Sequence, residues 1–407
     1  MSSGKTRFRW IVGLVLLALW MGSCARAPLK GPENSLLRAD APELSDDLPL
    51  EQLFSAITEQ VQFLEKSPRD SNFVFGEETF TKQEYLAGLR RFLELGKKHS
   101  GEEFFDQVRD EFDFYEVYGD PSPGDVFITS YFEPVIPGAL KKTDQFSQPL
   151  YGAPNDILRL DLERFDEKFA DERKRRARVV GNDVYPYYSR EEIDSGGALS
   201  GKKLELCWVD PIDAFFLQVQ GSGTVELSGG KSLRLIYAEK NGHQYHSIGK
   251  FLKEKIPADQ LTLHSIERYL RGLPVAEMRK ILYQNPSYVF FHLLEGDAKG
   301  ALTYLGVPAT AGRTIATDPK YFPKGALAFL VSTKPKFDSI ESTTPSSWEP
   351  LARFVLDQDI GGAIVGGGRV DLFWGRGAEA KQYAGVMKQS GKLYYLAPKK
   401  RENMEQH

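Results

Sequence analysis

The chain has 407 residues, of which 41% are hydrophobic and 27% are charged, a balance that allows a packed core. This length fits two domains, or one domain with a large insertion. The net charge of -4 and the pI near 6.0 argue against a general nucleic-acid binder, which would show a basic face. Aromatic residues make up 12% of the chain, which fits a sugar-stacking groove and a large core equally well.

The N-terminus has the pattern of a secretory signal. A basic start at residues 5–9 precedes a short apolar run over residues 10–20, and small residues follow just before Cys24. The run is too short for a comfortable membrane-spanning helix, and the residues before Cys24 resemble a lipobox. We therefore expect a signal peptide over residues 1–23, a lipid on Cys24 and a tether over residues 24–50. An uncleaved anchor and a plain signal peptide are the alternatives.

The residues around the two cysteines extend this expectation. Ala25 rather than Asp follows Cys24, which favours an outer-membrane lipoprotein that faces the periplasm in a Gram-negative envelope. The only other cysteine, Cys207, stands among strand-forming residues, so we expect it to be a small buried hydrophobic side chain. A lipidated Cys24 leaves no partner for a disulfide within the chain.

Apolar periodicity predicts helices in the first part of the chain and mostly strands later. Predicted helices cover residues 53–64, 85–93, 104–114, 247–255, 263–272, 275–284 and 379–388, with Thr81 as an N-cap and Gly96 as a stop for the second. Predicted strands cover residues 126–132, 204–209, 214–220, 224–227, 233–238, 288–294, 326–332, 352–356, 370–374 and 392–396. The mixed charges of residues 163–178 indicate a solvated helix. This order predicts β-barrels with peripheral helices.

Three motifs approach known functional patterns, but each lacks a residue or a spacing that its pattern requires. Residues 196–203 approach a phosphate-binding loop, but Lys203 replaces the Ser or Thr and no buried strand precedes them. A nucleophile elbow needs Gly two residues before its serine, and Gln220 stands there before Ser222, which is therefore a better groove residue than a nucleophile. His243 and His246 do not form a cluster with zinc spacing, so we expect no metal site.

Asp371 is the more informative acidic residue, because it stands among the large apolar residues of 370–375. In a dry environment its pKa would rise, and the retained proton would suit a general acid for a glycosidic oxygen. Asp371 could equally cap a turn or pair with Arg369. The Gly-rich residues 361–368, between Asp359 and Asp371, allow close packing or a sharp bend.

Several segments together resemble a known family. They are residues 131–136 with 149–151, 208–223 (WVDPIDAFFLQVQGSG), 237–249, 285–291, 313–318, 357–364 and 370–377 (VDLFWGRG). In this order they resemble MltA, the membrane-bound lytic murein transglycosylases A, over about residues 115–398.

The resemblance implies a mainly β fold with peripheral helices. A double-psi β-barrel would be interrupted by a second β-rich domain, with a glycan groove between them. The barrel domain would take residues 51–133 and 285–407, with a 3D region, named for three aspartates, over about 300–398. The inserted domain would take residues 134–284.

The resemblance also implies the activity and its residues. The protein would be an exo-acting peptidoglycan lyase that cuts the β-1,4 bond between N-acetylmuramic acid and N-acetylglucosamine and leaves 1,6-anhydro ends. Nothing in the residues themselves separates chain-end from internal cutting. Asp371 maps onto the catalytic acid, which then serves as the base, while Asp359 and Asp318 map onto supporting positions. The groove-lining candidates are Tyr131, Glu133, Gln220, Ser222 and Asn241.

Two rival functions remain open at this stage. A hydrolytic muramidase would use Asp359 to activate water, and a non-catalytic lipoprotein would only bind peptidoglycan. We expect no cofactor and no nucleic-acid partner. The expected partners are glycan strands and, through the lipid on Cys24, the membrane, with cell-wall synthesis proteins as further candidates.

Overall fold

A computed structural model describes residues 31–68, 71–118, 124–169, 174–294 and 301–400. The predicted signal peptide and Cys24 lie outside these residues. No helix in the described ranges has both the length and the apolar composition to cross a membrane.

The described chain contains many more strands than helices. The strands are β1 (Leu36–Ala39), β2 (Phe73–Phe75), β3 (Glu78–Phe80), β4 (Phe112–Val117), β5 (Val126–Glu133), β6 (Val135–Ala139), β7 (Gln148–Tyr151), β8 (Leu158–Leu160), β9 (Arg175–Val180), β10 (Asp183–Pro186), β11 (Glu205–Val209), β12 (Gly223–Leu227), β13 (Ser232–Lys240), β14 (Val289–Leu293), β15 (Thr314–Ala316), β16 (Ala326–Lys336), β17 (Ser347–Asp359), β18 (Arg369–Arg376) and β19 (Gln389–Pro398). The α-helices are α1 (Pro32–Ser35), α2 (Leu50–Lys66), α3 (Lys82–Lys98), α4 (Gly101–Glu111), α5 (Arg190–Asp194), α6 (Pro211–Gln220), α7 (Leu263–Arg271), α8 (Val275–Leu282) and α9 (Gly377–Ala384). Short 3-10 turns occupy Leu162–Arg164, Glu167–Phe169, Ile248–Leu252 and Ala258–Gln260.

Six strands close into a barrel. Their order is β19–β16–β17–β15–β18–β5, and the ring closes because β19 also pairs with β5. β4 pairs with β19 outside this ring, and β1 pairs with β4. The mainly β fold with peripheral helices and a closed barrel is thus confirmed, while the double-psi crossing of its connections stays a prediction.

Apolar strands fill the barrel and amphipathic helices cover it. Leu327, Phe329 and Leu356 are completely buried inside the largest core cluster. Helices α2 and α3 place their apolar faces against the same cluster. The start of α3 is fixed by a reciprocal cap, in which the Thr81 hydroxyl accepts from the Glu84 amide and the Glu84 carboxylate accepts from the Thr81 amide.

A second sheet lies between β5 and β15 in the chain. Its order is β14–β13–β12–β6–β11–β7, and a bridge between Gly152 and Phe291 joins the two edges. β6 begins only two residues after β5 ends, so the polypeptide passes directly from the barrel into this second β-rich body. Helices α7 and α9 hold the two bodies together, because Glu267 and Lys381 form an ion pair of 2.6 Å and the Leu263 amide donates to the Gly385 carbonyl.

The N-terminal strap, which we define as residues 44–49, lies across β17. Asp46 accepts two hydrogen bonds from the buried Arg313, at 2.7 and 2.9 Å. Asp47 accepts two from Arg353, at 2.7 and 2.6 Å. Since β1 is also part of the barrel sheet, part of the predicted tether over residues 24–50 belongs to the folded body.

Several predicted elements differ in the structure. The predicted helix over residues 247–255 forms only a 3-10 turn, Ile248–Leu252. The apolar residues 214–220, predicted as a strand, belong to helix α6, because the Asp210 carboxylate caps its N-terminus and Pro211 occupies its first turn. The described part of the charged segment 163–178, predicted as a helix, forms 3-10 turns and the beginning of β9, which lies between β8 and β10. The third predicted helix ends at Glu111, and its last residues belong to β4. Cys207 is completely buried, as predicted.

Candidate active site

Asp371 lies on β18, between β15 and β5. Its neighbours Val370 and Leu372 point into the barrel core, so the carboxyl group points to the opposite side. Thr129 is its register partner on β5, and the Thr129 hydroxyl donates to Asp371 Oδ1 at 2.7 Å. Burial raises the pKa of Asp371 to about 6, and the nearby Asp359 adds to the rise, while the hydrogen bond from Thr129 and the charge of Arg369 oppose it.

Arg369 acts on Asp371 through its charge and through a hydrogen bond to Thr129. Its guanidinium group donates to the Thr129 hydroxyl at 3.2 Å and lies 4.7 Å from the centre of the Phe127 ring. The partner of the carboxyl is therefore Thr129, not Arg369, and Asp371 lies within a strand rather than at a turn. The environment is the one that favours a protonated carboxyl group.

Asp359 ends β17 and accepts three hydrogen bonds. The Tyr131 hydroxyl donates to Oδ2 at 2.8 Å, and the amides of Tyr304 and Ile360 both donate to Oδ1 at 2.9 Å. Burial raises the pKa of Asp359, whereas these donors and the Lys324 charge lower it. Three donors stabilise the carboxylate form, so Asp359 and Asp371 have unlike environments.

Tyr131 connects the two acidic residues. It lies on β5 two residues after Thr129, so both side chains project from the same face of the strand. Its ring packs 5.0 Å from the ring of Phe373 while its hydroxyl donates to Asp359. The structure thus brings together Tyr131, Asp359 and Asp371 among the residues predicted from the sequence.

Asp318 has a different place. Its carboxylate accepts from the Gly366 amide at 2.8 Å and from the Lys320 amide at 3.1 Å, and the residue is 7% exposed. Gly366 has a φ of +92°, a backbone conformation that a side chain rarely adopts. Asp318 therefore anchors the Gly-rich turn that leads into β18.

The other predicted groove residues lie near the junction of the two bodies or inside the second one. Glu133 is buried and accepts from Thr224 at 3.3 Å, and the Gln220 side chain accepts from the Phe132 amide at 3.1 Å. Ser222 is half-buried in the turn before β12.

Asn241 is fully buried, and its amide group bonds to backbone atoms of Tyr188, Pro286 and Tyr288. That hydrogen bonding makes Asn241 a residue that shapes the second body, with no atom left facing a groove.

Three nearby residues were missed in the sequence. Thr129 could have been found from its spacing to Tyr131, whereas Lys324 gave no local signal. Tyr245 comes from the second body, and the charge of Asp371 contributes to a pKa that burial already raises. Tyr245 therefore lies within range of the Asp371 charge. Among the described residues, no group of three or more His, Cys, Asp or Glu side chains could hold a metal ion.

Partly buried carboxyl groups whose pKa is raised are typical of enzymes that cleave glycosidic bonds. The family models for the MltA specific insert domain and the 3D domain match residues 127–292 and 313–397. The membrane-bound lytic murein transglycosylase A of Escherichia coli (strain K12) is 30% identical over 288 residues, which are 70% of this chain and 69% of that protein. The chain belongs to the membrane-bound lytic murein transglycosylase A family.

Further relatives agree with this assignment. The protein of the same name from Vibrio cholerae is 30% identical over 286 residues, or 69% of this chain and 68% of that one. The crystal structure of a membrane-bound lytic murein transglycosylase from Agrobacterium tumefaciens superposes with a TM-score of 0.72 at 25% identity, covering 89% of this chain and 98% of that one.

Proposed function

We propose that the protein is a lytic transglycosylase that cleaves peptidoglycan between N-acetylmuramic acid and N-acetylglucosamine and leaves 1,6-anhydro-muramic acid ends. The observation that carries the proposal is the unequal pair of partly buried carboxyl groups, Asp371 with one hydrogen-bond donor and Asp359 with three. The names of the relatives, which refer to murein, supply the substrate class.

In the first step, protonated Asp371 donates its proton to O4 of N-acetylglucosamine. The bond between C1 and O4 breaks, and its electron pair stays on O4. C1 acquires oxocarbenium character. A pKa raised to about 6 keeps part of the Asp371 population protonated near neutral pH, which a general acid requires.

In the second step, the same Asp371, now a carboxylate, accepts the proton of the C6 hydroxyl group of the muramic acid. The C6 oxygen attacks C1 and closes the anhydro ring, so no water enters the product. Attack from within the same sugar benefits from proximity. Thr129 supports both steps, because its hydroxyl holds Oδ1 of Asp371 in place.

Asp359 acts as a fixed negative charge in this mechanism. Its three donors hold the carboxylate in one orientation, and a carboxylate near C1 stabilises the positive charge that develops there. A hydrolytic muramidase would instead use Asp359 to activate water. Oδ1 already accepts two hydrogen bonds and Oδ2 accepts one, which favours the electrostatic role over the activation of water.

The mass of the products tests the proposal. Purified murein digested with the protein should yield fragments that are lighter by one water molecule than those from a hydrolytic muramidase run beside it. Fragments of the hydrolytic mass would replace our proposal with the muramidase. If the folded protein released no fragments at all, only the rival function of a non-catalytic peptidoglycan-binding lipoprotein would remain.

We also propose that a lipid on Cys24 attaches the protein to the outer membrane, facing the periplasm. The basic, apolar and small residues before Cys24 support this, and lipid chains on one cysteine provide stable anchoring. In cell fractionation, a Cys24→Ala variant should leave the membrane pellet, while a Cys207→Ala variant, which alters only a buried thiol, should stay there. A Cys24→Ala protein that pellets like the parent would contradict the anchor.

A further inference from the structure

Lys324, in the turn before β16, is buried directly behind the acidic site. Its side chain is only 9% exposed. The ammonium group has four acceptors: Asp357 Oδ1 at 2.7 Å, Thr317 Oγ1 at 2.6 Å, and the carbonyls of Thr317 and Asp359, both at 2.9 Å. An ammonium group has three hydrogens, so these four acceptors engage all of them. A buried lysine of this kind is fixed in both position and orientation.

Two of these acceptors are main-chain atoms of the segments that present the acidic residues. The carbonyl of Asp359 belongs to the residue whose carboxylate faces the site. The carbonyl of Thr317 directly precedes Asp318, which anchors the Gly-rich turn. Lys324 thereby ties the end of β17 to the segment that follows β15, and it sets where the Asp359 carboxylate lies.

Lys324 is also a buried positive charge beside carboxylates. The groups that face it are Asp357, Asp359 and Asp318. Asp357 is completely buried and accepts further hydrogen bonds from Thr317 and from the Tyr395 hydroxyl, both at 2.6 Å. Lys324 and Asp357 therefore form a buried, hydrogen-bonded ion pair.

Asp359 is the group on which this pair acts. Besides Lys324, it faces the Tyr131 hydroxyl, the amides of Tyr304 and Ile360, and Asp371. Burial raises the pKa of Tyr131 and of Tyr395 well above the usual range, so both stay protonated throughout the acidic range. The charge of Asp359 raises the pKa of Asp371, so a positive charge that keeps Asp359 ionised also favours the proton on Asp371.

The proposed mechanism needs that proton on Asp371 and a negative charge on Asp359. We propose that Lys324 is a positioning residue that orients Asp359 and keeps it ionised, so that the proton stays on Asp371. This inference rests on the proposed function and adds to it how the two carboxyl groups are made unequal. Like charges close together otherwise compete for one proton.

The dependence of kcat/KM on pH tests the inference. The parent should give a bell-shaped profile of kcat/KM that rises as Asp359 ionises and falls as Asp371 loses its proton, near pH 6. Lys324→Met removes the positive charge and should move the acidic limb upward by about one pH unit or more, with a lower maximal kcat and a nearly unchanged KM. Asp357→Asn leaves Lys324 uncompensated, so the acidic limb should move in the opposite direction.

Opposite shifts from two partners of one ion pair are not expected of a purely structural role, since loss of packing would lower kcat for both without moving the limb. A double variant, Lys324→Met with Asp357→Asn, removes the pair without leaving a buried lone charge and should give a limb between those of the single variants. If Lys324→Met does not fold, the positions of the acidic limb in Asp357→Asn and in the double variant test the role of Lys324. The matched control is Lys336→Met, which breaks an exposed ion pair with Glu349 on the same barrel.

An acidic limb that stays in place in Asp357→Asn and the double variant, or that shifts in one direction in both single variants, overturns the role of Lys324. Failure of the proposed function is distinguishable, because in that case the parent itself would release no anhydro product.

Discussion

Asp371→Asn should lower the rate of anhydro-muropeptide release by about 10²–10⁴-fold or more, because loss of a general acid or base costs about that much for each step it serves. The asparagine keeps the size of the side chain and can still bond to Thr129, but it transfers no proton in either step. Asp359 is poorly placed to take over, since its carboxylate already accepts three hydrogen bonds.

The fold should survive this change. Because burial raises the pKa of Asp371 from 3.8 to about 6, the stability this group contributes is present below pH 4 and is lost as pH rises through 6. At neutral pH the ionised group opposes folding, so the variant should melt at the parental temperature or above.

Asp359→Asn is the comparison for activity. This variant should leave measurable activity, since the role of Asp359 is electrostatic. Release by folded Asp371→Asn protein at about a tenth of the parental rate would assign the acid elsewhere, with Asp359 next.

Asp46→Ala should destabilise the protein by about 3–5 kcal/mol, because it removes the carboxylate that pairs with the completely buried Arg313. The carbonyls of Leu48 and Pro49 would still accept from the guanidinium group, but they carry no compensating charge. Urea unfolding followed by far-UV circular dichroism measures the change.

The matched control for this prediction is Asp113→Ala, which breaks an ion pair with Arg38 at the adjoining strand. Arg38 is 66% exposed, so we expect little or no loss of stability. If the two variants lose equal stability, the N-terminal strap is not held by its buried pair and its docking must depend on apolar contacts.

The barrel strands could be predicted from the sequence because their signal is local. Residues 326–332 and 370–374 combine apolar and β-branched or aromatic side chains, which predict strands wherever they occur. Helix α3 was equally accessible, since Thr81 and Glu84 form its cap within four residues. In each case the residues that stabilise the element are neighbours in the chain.

The wrong predictions concern elements whose local sequence signal did not decide their structure. Residues 175–180 form a strand because β8 and β10 supply hydrogen bonds on both sides, which outweighs the helical signal of a mixed charge run. Residues 214–220 are apolar on most sides, so periodicity alone did not separate a buried helix from a strand.

The acidic site was predictable in part. Asp371 and Asp359 stand out by their neighbours in the chain, and the family resemblance orders their roles. Thr129 and Lys324 contact the site only because strands distant in sequence pair in a particular register. Asn241 is the opposite case. It stands in a segment that resembles the family and was predicted to line the groove, but its side chain forms hydrogen bonds with backbone atoms instead.

If Cys24 carries a lipid, the docking of β1 onto the barrel sheet limits how far the protein can move from the membrane. The first paired residue is Leu36, only twelve residues after Cys24. Even fully extended, twelve residues span at most about 40 Å. A lipid on Cys24 would therefore confine the barrel to a thin layer next to the bilayer, and only glycan strands that pass through that layer would be within range of Asp371.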